Sequence, residues 1–355
     1  MSYSIVSLFS GAGFLDFGFT ENNFEIIWGA EIEKQFAYAN NYNINIRYNK
    51  SDVIQNIDLS KVDVKVIPKS NGIIGGPPCQ DFSKGNANNP GIEGERGKLV
   101  LDYLRIIEEK KPDFFLFENV EDLYKTKKHR ENALMPLIEE FKKLGYITYF
   151  KILNSIEYGI PQDRSRVFIV AFKTEIIKTL ENNGLKGFEW PKPMYEDAIK
   201  KFNWPVEWEF GTKIDEKAYI ENLEYPYKLT VHSVLSNVDN LKNNVSFNPK
   251  SEKFKTVREG DTKKKSFKRL HRFRYSPTVA YGNNEVHLHP TEPRRLTVRE
   301  ALRIQSVPDW YEFPEGSTLT DMFKMISNGV SYEVAYLLSK QVKLVLDNYY
   351  EKKDM

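Results

Sequence analysis

Cysteine is almost missing from this chain: one residue, Cys79, in 355. A single thiol permits no internal disulfide, which suits a reducing compartment, and the cytoplasm is the expected location. Long apolar runs are missing too. No stretch reaches the roughly 18 consecutive apolar residues of a membrane span, so no membrane partner is expected. The start, Met1-Ser2-Tyr3-Ser4-Ile5-Val6, carries neither a charged leader nor a cleavage pattern and reads as a first strand. Neither sign of charge dominates: 51 Lys and Arg against 49 Asp and Glu leave +2, too little by itself to imply a polyanion partner. Histidine is scarce, with five residues. His287 and His289 lie two apart with no Cys or acid cluster to complete a metal site, so no metal is expected. No internal repeat is visible.

What is present is an ordinary soluble composition, 41% apolar and 28% charged, long enough for about two domains. The chain is organised around Gly72-Ile73-Ile74-Gly75-Gly76-Pro77-Pro78-Cys79-Gln80-Asp81-Phe82-Ser83. A short buried strand stops abruptly and presents Cys79 at its carboxyl end, where open α/β sheets bind ligands. The prolines keep the approach out of any regular ladder or helix. Cys79 thus reads as a held nucleophile, or alternatively as a small buried hydrophobe in a turn.

The N-terminal half alternates strands and helices. Ile5-Val6-Ser7-Leu8-Phe9 is a strand, followed by the turn Ser10-Gly11-Ala12-Gly13 and a helix-like run from Phe14. Such a corner lets backbone amides approach a nucleotide-like ligand, although the third glycine of the dinucleotide fingerprint is missing. Phe24 to Glu31 is a second strand, and an acid about 20 residues past the glycine turn is placed for ribose hydroxyls. Glu31 could equally be a solvated strand-end charge. Asp52 could end a third strand and reach an adenine amino group, or cap a helix. After Cys79, a polar stretch from Lys84 to Gly97 reads as a lid. Lys98 to Lys110 is predicted helical, with Leu99, Leu101, Leu104 and Ile107 on its buried face. Asp113 to Phe117 is a buried strand with Glu118-Asn119-Val120 at its carboxyl end, on the rim that holds Cys79. A buried carboxyl there can hold or give a proton near neutral pH, or else cap the next helix.

Glu131 to Leu144 is a further helix closed by Gly145, and Tyr146 to Leu153 a strand. In Gln162-Asp163-Arg164-Ser165-Arg166, the two arginines at i and i+2 would project to one side and aim at a substrate edge, or make surface ion pairs. After Lys173 the alternation is lost, which marks a second, irregular domain. Residues 253–274 carry ten Lys and Arg against two Asp and Glu, with Phe267, Phe273 and Tyr275 close by. That stretch suits phosphate contacts and base stacking, or is a solvated loop. Arg295 to Gln305 is a helix with Thr297 as cap and Glu300 at the capping-box position. Ser327-Asn328-Gly329-Val330 is expected to open a last apolar helix that packs back on the first domain.

With these residues in place, the chain resembles the cytosine-C5 DNA methyltransferases over nearly its whole length. Gly75-Gly76-Pro77-Pro78-Cys79-Gln80 is similar to the family's catalytic loop, Glu118-Asn119-Val120 to its Glu-Asn-Val signature, and Gln162-x-Arg164-x-Arg166 to its Gln-x-Arg-x-Arg signature. Phe9-x-Gly11-x-Gly13 resembles the cofactor turn, and Arg295-Leu296-Thr297-x-Arg299-Glu300 the helix that supports the second domain. Three positions depart from the pattern: Ser7 stands where an acid is usual, Phe14 where a glycine is frequent, and Ser327 where glycine normally precedes Asn328.

The resemblance implies an α/β fold: a Rossmann-like S-adenosylmethionine-dependent methyltransferase domain with a smaller irregular target-recognition domain forming the other wall of a DNA cleft. The expected division is a catalytic and cofactor-binding domain over 1–174, target recognition over 175–293, and a supporting helix with the C-terminal return over 294–355. It implies methyl transfer from S-adenosylmethionine, leaving S-adenosylhomocysteine, to C5 of a flipped-out cytosine, without a metal. Cys79 would add to C6, Glu118 would share a proton with N3, Arg166 would stabilise the O2 side and Arg164 would support it. The nearby arginine and helix-terminus dipoles would favour the thiolate that attacks. Phe9, Gly11, Gly13, Phe14, Glu31, Asp52, Pro78, Leu99 and Asn328 would line the cofactor site. Gln80, Ser83, Arg96 and Thr278 would approach DNA. The expected partner is double-stranded DNA, engaged by a monomer associated with the nucleoid, with a cognate restriction endonuclease acting separately. A tRNA cytosine-C5 methyltransferase is the alternative that keeps the chemistry. A silent DNA-binding protein and a dinucleotide-dependent oxidoreductase are the rivals of other classes.

Overall fold

β-Branched and aromatic runs bounded by glycine build the central sheet. The computed structural model describes residues 1–78, 98–248, 251–264, 266–281 and 285–353. Its strands are β1 (Tyr3–Leu8), β2 (Phe24–Glu31), β3 (Ile54–Asn56), β4 (Gly72–Gly75), β5 (Phe114–Val120), β6 (Tyr146–Asn154), the two-residue β7 (Gln162–Asp163) and β8 (Ser165–Lys173). All but β7 form one seven-stranded sheet in the order β3-β2-β1-β4-β5-β8-β6. The pairs β3–β2, β2–β1, β1–β4 and β4–β5 run parallel, while β5–β8 is antiparallel. This is the expected Rossmann-like α/β class.

The strand order fixes where a ligand can enter. The chain leaves β1 toward β2 and β3 on one side, then returns to place β4 and β5 on the other. Neighbouring carboxyl ends that lead in opposite directions leave a crevice between them. Phe9 follows β1 and Gly76 follows β4, so both turns singled out in the sequence flank that crevice.

Two compact units share the chain. The first comprises Met1–Leu153, Ser165–Pro191 and Ala335–Met355; the second comprises Asn154–Arg164 and Lys192–Val334. The second unit thus takes in 154–164 and 294–334, which the sequence reading assigned elsewhere. In the first unit, Val6, Ile73, Phe115, Phe117, Ile169 and Ala171 pack with Val100, Tyr103, Ile107 and Phe141 in one apolar cluster.

Several elements differ from expectation, each for a local reason. Helix α3 (the third long helix, after α1 at Phe14–Thr20 and α2 at Lys34–Tyr48) spans Lys98–Lys110 as predicted. Its buried face is Val100, Tyr103, Ile106 and Ile107, whereas Leu101 is 48% exposed. Tyr103 turns inward because its hydroxyl donates to Leu116 O at 2.8 Å. The predicted helix over 131–144 begins earlier, at Lys127, and includes a π-helical turn, Arg130–Leu134, before Met135–Lys143. Gly145 follows with φ 89°, as a helix stop requires. Ser327 and Asn328 close a helix, Leu319–Asn328, rather than open one, and the last helix is Tyr332–Lys353. From Ala335 onward that helix belongs to the first unit. There Ser339 Oγ donates to Gly18 O at 3.1 Å and Tyr3 donates to Asp347 at 2.8 Å.

The second unit has little sheet, and buried charges sit within its apolar interior. Its ladders are only two residues long: β9 (Lys268–Arg269), β10 (Ser276–Pro277) and β11 (His287–Leu288), with β10 beside β7 and β11 beside β9. The basic stretch 253–274 divides: Lys253, Lys255, Arg258, Lys263 and Lys264 are exposed, while Arg269 and Arg272 are buried. Arg269 is fully buried and donates to the carbonyls of Phe254, Val257, His289 and Glu292. Arg272 pairs with buried Glu259 at 2.8 Å and with Glu216 at 2.8 Å. Lys263 pairs with Glu207, Lys268 with Glu285 and Arg258 with Glu209. Phe273 is buried and stacks on Tyr219 at 4.4 Å. The two buried arginines build the fold, Arg272 neutralised by Glu259 and Glu216 and Arg269 held by backbone carbonyls.

Candidate active site

Alternation along β5 and β8 explains how two charged side chains meet. In the antiparallel register Val120 lies opposite Arg166 and Glu118 opposite Phe168. Directly opposed residues share a face, and so do residues two apart on one strand, so Glu118 and Arg166 are diagonal neighbours on one face. Arg166 Nε lies 3.2 Å from Glu118 Oε1, with side chains 18% and 12% exposed. Burial pulls the guanidinium pKa down, and the charges of Glu118 and Glu121 pull it partly back. An ion pair this well shielded is strong only while both partners are present.

The turn after β4 closes on this pair. A Cβ on Gly76 would lie 2.7 Å from Glu118 Oε2, so a side chain there would push the carboxylate from its place. Asn119, facing the other way, donates to Pro77 O at 3.3 Å and ties the turn to β5. Pro77 is buried and Pro78 exposed. Cys79, Gln80, Ser83 and Arg96 lie outside the described residues, as does the polar stretch 84–97; the chain enters that segment one residue after Pro78.

Across the crevice the turn after β1 is held by Glu31. Its Oε2 accepts from Gly11 N and its Oε1 from Glu33 N, both at 2.8 Å. Burial raises the Glu31 pKa, and these two amides pull it back. Phe9, Gly11 and Gly13 have φ of 54°, 55° and 87°. A Cβ on Gly11 would meet nothing within 4 Å, whereas one on Gly13 would strike Asn40 Oδ1 at 2.5 Å. The turn is therefore open on one side and tightly packed beneath.

A model of the C-5 cytosine-specific DNA methylase family matches residues 3–344. The chain belongs to that family. It is 43% identical to Type II methyltransferase M.NmeDI of Neisseria meningitidis serogroup C, over 98% of this chain and 85% of that protein. It is 33% identical to Type II methyltransferase M.FnuDI of Fusobacterium nucleatum, over 96% and 94% respectively. Among solved structures it is similar to a protein assigned as a DNA modification methyltransferase, encoded within an E. coli prophage, with TM-score 0.67, 25% identity and coverage of 98% and 100%. It is a DNA cytosine methyltransferase.

In this methylase the predicted cofactor residues fall into two groups. Phe9, Gly11, Gly13, Phe14, Glu31, Asp52, Pro78 and Leu99 belong to the first unit, Asn328 to the second. Phe14 is buried and serves the core. Asp52 does not end a strand: β3 starts at Ile54, and Asp52 is exposed ahead of it with φ 57°. The register is set by Asn41, which donates to Ile54 O at 2.7 Å and accepts from Ile54 N at 2.9 Å.

The two arginines of the Gln-x-Arg-x-Arg motif do not act side by side. Arg164 precedes β8, so strand alternation does not govern it. Its guanidinium donates to Ser327 O at 2.9 Å and Gly329 O at 2.7 Å, within the second unit. It thereby fixes the turn that presents the exposed Asn328. Gln162 donates to Ile304 O and to Gln305 Oε1 and accepts from Val279 N, each at 3.1 Å. Thr278 donates its hydroxyl to Asp163 O at 2.6 Å.

Sequence reasoning missed Asp16. Wholly buried, it accepts from Ser7 Oγ at 2.5 Å and from Asn40 Nδ2 at 2.8 Å. Burial pushes its pKa up to about 6 against those two bonds. The family's usual acid on the first strand is thus replaced by a serine that binds an acid on α1. The available signal was a lone acid inside the apolar run Phe14-Leu15-Asp16-Phe17. Ile32 was also passed over. It follows Glu31 directly and is an apolar side chain left 63% exposed. Among the described residues no helix is long and apolar enough to cross a membrane.

Proposed function

We propose that this protein methylates C5 of a flipped-out cytosine in a specific duplex DNA sequence through a transient Cys79–C6 bond. The observation that carries the reading is the shielded Glu118–Arg166 pair beside the Gly76–Pro77 turn that leads to Cys79. A pyrimidine needs a thiolate at C6 before C5 becomes nucleophilic. As the thiolate adds, negative charge builds along the opposite ring edge. Glu118 shares a proton at N3 and relieves it, while Arg166 orients Glu118 and faces O2. After methylation a base takes the C5 proton and the thiolate leaves. Flipping the cytosine from the duplex costs a few kcal/mol, which binding must supply. Arg164 acts at one remove, by fixing the Ser327–Gly329 turn.

The turn after β1 fits S-adenosylmethionine. Among the described residues, space lies open over Gly11 and the buried Ser10 hydroxyl has no hydrogen-bond partner. Phe9, Gly11, Gly13, Glu31, Asp52, Pro78, Leu99 and Asn328 would hold it, Phe14 would support the turn from beneath, and Ile32 would offer an apolar face. When bound there it supplies the methyl group. Gln80, Ser83, Arg96 and Thr278 remain the proposed DNA contacts. The Type II relatives favour DNA over the tRNA alternative, and the proposed role is protection of host DNA beside a cognate restriction endonuclease.

A duplex bearing 5-fluorocytosine at the target site tests this reading, because fluorine cannot leave C5 as a proton does. Incubation with S-adenosylmethionine should trap a covalent protein–DNA adduct, and Cys79→Ser should form none while still binding DNA. Wild-type protein that methylates cytosine without ever being trapped would refute the covalent route.

A further inference from the structure

Arginine in the second unit is almost wholly committed. Arg164, Arg269 and Arg299 donate to backbone carbonyls. Arg258, Arg272, Arg294 and Arg303 pair with carboxylates, and Arg274 donates to the Tyr275 hydroxyl. Arg295 differs. Among the described residues its guanidinium donates no hydrogen bond, and its buried Nε has no partner. It is held instead by stacking, its Cζ 4.8 Å from the Phe247 ring centroid, and that ring stacks in turn on Phe323 at 5.7 Å. Burial lowers the Arg295 pKa, with no offsetting charge.

The guanidinium lines a cavity of about 510 Å³ together with Ser246, Asn248, Ser251, Phe254, Phe267 and Leu319, besides Phe247 itself. Among the described residues, no carboxylate lines it. The polar groups on its wall are neutral hydroxyls and an amide, which suits an anion. A guanidinium fork matches the two free oxygens of a phosphodiester. A base is the poorer fit, because two of the wall's rings are already engaged: Phe247 by Arg295 and Phe323, Phe267 by the Lys253 ammonium at 5.0 Å. Phe254, Phe267 and Leu319 offer instead the apolar surface that a deoxyribose covers.

We propose that this cavity receives one backbone unit of the DNA substrate, with the phosphodiester on the Arg295 fork and the deoxyribose against Phe254, Phe267 and Leu319. The proposal rests on duplex DNA being the substrate.

The test measures binding of a short duplex, containing a site found methylated in the expressing host, by fluorescence anisotropy over a range of salt. Each phosphate contact contributes about 0.9 to the slope of log K against log salt. Arg295→Gln should lower the slope by about that amount and weaken binding alike for target and non-target duplexes. Arg295→Lys should restore most of the slope. A methylphosphonate at one linkage should weaken wild type and leave Arg295→Gln unaffected. Should Arg295→Gln melt early, Leu319→Trp serves in its place: it fills the cavity while leaving the guanidinium intact, and should weaken binding with melting unchanged. An unchanged slope in Arg295→Gln, a loss that tracks the identity of one base pair, or full binding by Leu319→Trp would overturn the proposal. Failure of wild type to bind any duplex would instead count against the functional reading.

Discussion

Asp16 offers the most quantitative consequence of the fold. Its carboxyl is wholly buried under the turn after β1, with a pKa of about 6 against an ordinary 3.8. A raised carboxyl pKa means that the folded state holds a proton the unfolded chain has already released. The stability this lends is fully present below pH 3.8 and is lost as pH rises through about 6. At 1.36 kcal/mol for each pH unit of the difference, the loss is about 3 kcal/mol, complete by neutral pH. Asp16→Asn removes the titration and keeps the shape. The new amide oxygen can accept from Ser7. Asn40 can turn its amide so that Oδ1, which has no partner among the described residues, accepts from the new amide nitrogen. Urea unfolding of both proteins from pH 4 to pH 8 isolates this group together with its smaller charge coupling to Glu31. The difference in unfolding free energy should move by about 2.5 kcal/mol in favour of Asp16→Asn over that range, part of the loss having already occurred by pH 4, and then level off. A difference that stays flat across that range would show that Asp16 is not a desolvated acid, and the account of the turn would fail with it.

Glu118→Gln should lower kcat by about 10²- to 10⁴-fold, read by transfer of labelled methyl groups, with DNA affinity little changed. Gly13→Ala sets a side chain at φ 87° and 2.5 Å from Asn40 Oδ1, so it should cost about 1–3 kcal/mol and weaken S-adenosylmethionine binding by calorimetry. Arg272→Met leaves Glu259 charged, wholly buried and without its guanidinium, and should cost about 3–5 kcal/mol in urea unfolding; Arg272→Met with Glu259→Leu should recover most of that.

The sheet and its crevice were legible because they rest on short-range signals. Apolar runs flanked by glycine or proline mark β1, β4 and β5, and the chain order then places Phe9 and Gly76 at adjacent strand ends. The capping box at Thr297 and Glu300 was legible for the same reason, being complete within four residues. What escaped depends on partners far away in sequence. Asp16 finds Asn40 on another helix. Arg272 finds Glu216 well upstream, so one charge of the basic stretch that read as surface is buried. The face of α3 slipped because Val100 and Leu101 are equally apolar, and only the carbonyl of Leu116 draws Tyr103 inward. Arg164 and Arg166 read as a pair, yet the strand starts between them, and a side chain placed before a strand does not obey its alternation.

The path of the chain through its two units bears on how specificity could be re-engineered. The second unit is built from two separate segments, 154–164 and 192–334, so the backbone passes between the units four times. A chimaera that imported only 192–334 from a relative would keep the host's Gln162 and Arg164. Those side chains grip Val279, Ile304, Gln305 and the Ser327–Gly329 turn, and β7 pairs with β10. Foreign sequence at those grips would meet an ill-matched eleven-residue insert. A graft that carries both segments together keeps every one of these contacts native to its donor.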